Sequence, residues 1–121
     1  MALVKTTING QIGGLFYIDE AASSTKVTLG TSGTFSLHQI KIDNTANTHK
    51  SYLKIYTSDP TVGTTDPQVA LPCEASATSE YSFESPIGMS NIYYAVVREA
   101  GTAGTTAPAN AITVKFLLTS A

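Results

Sequence analysis

His38, His49 and Cys73 are the only imidazoles and the only thiol in this chain, and with its carboxylates they are the side chains to weigh first for metal, nucleophilic or acid–base chemistry. Neither histidine has a second histidine, a cysteine or a carboxylate at metal-ligand spacing, so a zinc site would need ligands gathered from distant strands. Instead His38 is read as marking a strand irregularity and His49 as sitting in a solvated loop. Cys73 lies between Pro72 and Glu74, and an adjacent carboxylate disfavours the thiolate that a nucleophile needs. Gly10-Gln11-Ile12-Gly13-Gly14 lacks the Lys-Ser/Thr pair and the following helix of a phosphate loop, and reads as a flexible turn. Paired carboxylates occur as Asp19-Glu20 and as Glu80 with Glu84, and both are read as surface charges with no apolar pocket to perturb them. Asp43, Asp59 and Asp66 stand in or beside loops, where such residues close turns more readily than they bind calcium. The expectation is a protein that is not an enzyme and carries no metal or cofactor.

The side chains best placed to touch another protein are Leu15, Phe16, Tyr17 and Ile18, with Tyr52 and Tyr56. Leu15 to Ile18 is apolar on both faces of a strand, so a second sheet or a subunit contact must cover it. In Tyr52-Leu53-Lys54-Ile55-Tyr56, alternation puts Leu53 and Ile55 on one side and the two tyrosines and Lys54 on the other. That second side is either a binding ladder or an outer sheet face stabilised by cross-strand pairs.

The remaining elements are also strands. Leu3 to Ile8 precedes Asn9-Gly10, a strong turn dipeptide, and Lys26 to Thr31 turns through Gly30 to Gly33 into a hairpin. From Phe35 to Ile42 the apolar positions slip phase, odd at Phe35 and Leu37 and even at Ile40 and Ile42, and a β-bulge near His38-Gln39 restores the facing. Pro60 to Pro67 connects two strands, and Tyr81 and Phe83 alternate with polar residues until the turn Ser85-Pro86-Ile87-Gly88. Asn91 to Val97 is apolar on both sides and belongs inside a sheet. A Gly/Thr/Ala/Pro loop from Gly101 to Ala109 leads to Ile112, Val114, Phe116 and Leu118 in clean alternation. Glu20 to Ser24 is the place best suited to one helical turn.

Such strands at this spacing predict an all-β, single-domain antiparallel β-sandwich of about eight strands over residues 1–121, with residues 1–14 as an extended arm. A chain of 121 residues buries roughly two-thirds of its unfolded surface without a staple. Only 13% of residues are charged and the formal net charge is -2, which argues against nucleic acid and membrane surfaces as partners. One cysteine and no signal-peptide pattern imply synthesis in a reducing cytoplasm.

Tyr52-Leu53-Lys54-Ile55-Tyr56, Pro60-Thr61-Val62-Gly63, Pro67 with Val69-Ala70-Leu71-Pro72, Ile87-Gly88, Tyr94-Ala95-Val96 and the terminal strand together resemble a group of small tailed-phage virion proteins. The resemblance runs from His38 to the C-terminus. It departs at Phe83-Glu84-Ser85-Pro86-Ile87-Gly88, which replaces a phenylalanine-rich approach to the central strand, and at Leu117-Leu118, which replaces a terminal aromatic. It implies a jelly-roll-like sandwich in the virion, acting as a capsid decoration or cement protein. The partners would be the major capsid protein and further copies of the chain, as a homotrimer or homodimer. The alternative is a tail, neck or fibre-associated module that binds a tail protein or a host-surface glycan through the loops Asp43 to Lys50 and Gly101 to Ala109.

Overall fold

The computed structural model describes residues 3–7, 15–30, 35–89 and 91–120, and its described residues form nine strands. They are β1 (Leu3–Thr7), β2 (Leu15–Ala22), β3 (Val27–Gly30), β4 (Phe35–Asp43), β5 (Ser51–Tyr56), β6 (Val69–Cys73), β7 (Thr78–Met89), β8 (Ile92–Val97) and β9 (Ile112–Ser120). All pairings are antiparallel, in a five-stranded sheet ordered β1-β2-β9-β4-β7 and a four-stranded sheet ordered β3-β8-β5-β6. Beyond β2 the chain crosses between sheets at each connection except β5 to β6. The resulting orders β2-β9-β4-β7 and β3-β8-β5-β6 are those of an eight-stranded jelly roll, with β1 added beside β2.

The alternating positions of the sequence supply the core. Ile112, Val114, Phe116 and Leu118 from β9 meet Leu53, Ile55, Ile92, Tyr94 and Val96 from the opposite sheet, all almost wholly buried. Burying one such side chain stabilises the fold by about 1.5–3 kcal/mol relative to exposure. Phe116 and Tyr94 pack as tilted rings 4.9 Å apart. β8 is internal to its sheet, as its two-sided apolar pattern requires.

The phase slip in β4 is a bulge at the expected place. Leu37 and Gln39 pair with consecutive residues of β9, Leu118 and Leu117, leaving His38 as the extra residue. Its Nε2 lies 2.8 Å from the hydroxyl of Thr119.

Several expectations need correction. Glu20 to Ser24 makes no helical turn, because β2 continues to Ala22 to keep pairing with Ile112. β3 and β4 form no hairpin: they belong to different sheets, with the connecting residues 31–34 outside the described ones. Ser85-Pro86 does not end its strand. Leu37 and Gln39 oppose Ile87 and Ser82 of β7, so Phe83-Glu84-Ser85-Pro86 is expelled as a bulge and pairing resumes to Met89. Proline has no N–H for the ladder, and an edge strand tolerates that loss. Asp19 is not a surface charge; it is 1% exposed, accepting from the Tyr94 hydroxyl at 2.6 Å and from the Ala21 N–H at 2.9 Å. Burial, and then this bond, push the Tyr94 hydroxyl pKa well above the ordinary tyrosine range. The residues expected to form an arm include Leu3–Thr7, which pair in register with β2; Asn9-Gly10 and Gly13-Gly14 lie outside the described residues.

Candidate interaction surface

The two sheets treat their outer faces differently. On the four-stranded sheet, Lys54 and Tyr56 were expected beside Tyr52 on a ladder facing solvent, but both are buried, at 0% and 1% exposure. The connection after β8 folds back across this face, its tip closed by the turn from Gly101 O to Gly104 N. Lys54 Nζ donates to the carbonyls of Gly101, at 2.5 Å, and Gly104, at 3.4 Å. The loop after β5 arrives from the other end of the sandwich. Asp66 accepts from the Thr102 hydroxyl at 2.6 Å, and Gly63, with φ +95°, lies where an added Cβ would stand 2.5 Å from Thr105 Cγ2. Glycine is needed there for both its conformation and its lack of bulk. Only Tyr52 of that side remains half-exposed, 5.4 Å beneath the Lys50 ammonium, which also pairs with Glu74.

The loops at one end of the sandwich are likewise engaged with each other. Buried Asn44 donates to the carbonyls of His49, Cys73 and Glu74 and accepts from Asn47, and Asn47 exchanges two hydrogen bonds with the backbone of Asn110. His49 Nε2 accepts from the Ala109 N–H at 3.1 Å, which ties the loop expected to be solvated to its neighbour. Asp43 closes a turn on Thr45, and those hydrogen bonds hold its carboxyl below the usual range. Cys73 is fully buried, and among the described residues no three of His, Cys, Asp and Glu gather where a cation would sit.

Among the described residues, no segment covers the outer face of the five-stranded sheet. Phe16 and Ile18 of β2 and Leu117 of β9 are half-buried there, Phe16 directly opposite Leu117, with no loop among the described residues over them. Beside them stand Lys115 from β9, Gln39 and Lys41 from β4 and Glu80 from β7. Shallow depressions of about 220 and 120 Å³ run along this face; Lys41 and Lys115 line both, and Phe16 and Leu117 line the larger.

Of the five expected contact residues whose side chains are described, the structure therefore brings Phe16 and Ile18 to a common open surface. Tyr52 is half-exposed on the opposite sheet, Tyr17 lies in the core, Tyr56 lies under the loops, and Leu15 pairs through its backbone with Thr7 and Leu118. Leu117, Lys41 and Lys115 belong to the same surface and escaped the sequence reading, although each follows the outward phase of its strand. Compared with known proteins, the chain matches no family model, no curated protein and no solved structure.

Proposed function

We propose that the protein is a virion component that decorates an assembled phage capsid, attaching by the open outer face of its five-stranded sheet. The observation that carries this reading is the asymmetry between the faces. One is closed by the chain's own loops, and the other leaves Phe16, Ile18 and Leu117 at the surface in a continuous strip. Apolar side chains kept together at a surface mark a contact with another protein. The jelly-roll order and the resemblance of residues 38–121 to small virion proteins support the same assignment. In the alternative, a tail or fibre module reading a glycan through its loops, Asn44, Asn47 and Asn110 would have to face a ligand, but they spend their hydrogen bonds on one another and on the backbone.

A decoration protein works by mass action: it binds the assembled shell and not its dissociated parts, and so stabilises the shell against rupture. A symmetric trimer or dimer is the simplest arrangement over a capsomer boundary. Purified protein mixed with undecorated, expanded capsids of the parent phage is expected to co-sediment and saturate at a fixed copy number. Protein that stays in the supernatant yet binds host cells would shift the assignment to the tail.

A further inference from the structure

Of the six cations whose side chains the structure describes, four are accounted for within the fold. Lys26 pairs with Asp59 at 2.5 Å, Lys50 with Glu74 at 3.3 Å, Lys54 donates to the Gly101 and Gly104 carbonyls, and Arg98 Nε donates to the Ala107 carbonyl at 3.0 Å. The two left over are Lys41 and Lys115, and they are cross-strand partners in the β4–β9 ladder. Like charges directly opposite one another cost a sheet up to about 1 kcal/mol. The nearby carboxylates relieve them only in part: the charges of both lysines reach Asp43 and help hold its carboxyl below the usual range, but at a distance and without an ion pair. Glu80 accepts from Gln39 Nε2 at 2.7 Å, Asp43 is turned onto Thr45, and neither comes within ion-pairing distance of either lysine.

We propose that Lys41 and Lys115 form the anion-recognising centre of the shell-binding face. They receive one acidic side chain of the capsid protein, while an apolar side chain of the same segment seats against Phe16 and Leu117. This rests on the decoration reading and adds to it the chemistry of the partner. The geometry fits: both lysines line the two adjoining depressions, and the larger one continues onto Phe16 and Leu117. A lone carboxylate suits the site better than a polyanion, because Asp43 lines one depression and Glu80 the other and would repel a run of phosphates.

The test compares three proteins for co-sedimentation with expanded capsids over a range of NaCl concentrations: wild type, the double variant Lys41→Gln/Lys115→Gln, and a control, Lys26→Gln/Lys50→Gln, with the same change in net charge elsewhere. The first variant is expected to bind about tenfold or more weakly than wild type, with a shallower salt dependence. Its thermal midpoint should be equal to or above wild type, since a like-charge pair has been removed. The control is expected to bind as wild type. If wild type binds and both variants match it, or both weaken equally, the lysine pair is not the recognition centre although shell attachment stands. If wild type itself does not sediment with capsids, both the attachment and this centre fall.

Discussion

Lys54 is the side chain whose environment departs furthest from what its type prefers. It is a wholly buried cation whose ammonium is met by carbonyl oxygens rather than by a carboxylate. Burial lowers its pKa from 10.5, and the charge of Glu99 offsets only part of this. The unfolded chain therefore holds this proton more tightly than the folded one. Between the depressed folded value and 10.5 the unfolded state binds more protons, so stability rises with pH across that window. Below the window the full cost of the buried charge is present. Lys54→Met keeps the aliphatic stem and removes the charge, so urea midpoints at pH 7 are expected to equal or exceed wild type, with a flatter pH dependence up to pH 9.5. Lys54→Ala also removes the stem and is expected to cost about 2–4 kcal/mol. A methionine variant that unfolds well below wild type, close to the alanine variant, would show that the ammonium itself holds the fold. None of this was legible in the sequence. Alternation correctly put Lys54 opposite Leu53 and Ile55, but a residue thirty or more positions away decides whether an outward face meets water or a folded-back loop.

At the level of elements, what the sequence showed depended on how local the cause was. The bulge in β4 was readable because the apolar phase changes within eight residues, from Leu37 to Ile40 and Ile42. Burial of the strip Ile112, Val114, Phe116, Leu118 was readable for the same reason. The continuation of β7 past Pro86 was not, since it depends on β4 being long enough to pair again with Ile87 and Gly88 after the bulge. Likewise the pairing of Ala22 with Ile112, which keeps β2 extended, spans almost the whole chain. The bulge makes a sharp claim about deletions. Removing His38 leaves Leu37-Gln39-Ile40 in perfect in-out-in alternation against β9, so this deletion is expected to fold and to cost about 1–2 kcal/mol, mostly the lost Thr119 contact and a local readjustment. Removing Lys41 instead moves Ile42 to the outer phase and brings Asp43 inward, and this variant is expected not to give soluble folded protein. Thermal unfolding of the two deletions decides it: equal instability would mean that register here is set by the turns and not by the side-chain phase.

For the molecule as a whole, the topology explains why one face is free to bind. The long connections after β5 and β8 both spend themselves on the four-stranded sheet, so among the described residues the other sheet is left with side chains alone to present. Those side chains lie on strands paired through the body of the sandwich, Leu15 with Leu118 and Phe16 with Leu117, so the surface is rigid and little ordering entropy is lost when it docks. A rigid domain that binds only in its folded form must also gain stability from the shell. With sites present at about 100 times the dissociation constant, linkage adds about 2.7 kcal/mol to unfolding. At roughly 4 °C per kcal/mol for a domain of this size, its own thermal transition should rise by about 10 °C on the capsid. Calorimetry of decorated capsids, against free protein and bare capsids, is expected to show that displaced transition, and Phe16→Ser is expected to shrink the displacement without abolishing the fold. A transition at the same temperature with and without capsids, at concentrations where sedimentation shows binding, would mean that the protein attaches through segments outside the folded sandwich and that its open sheet face serves some other contact.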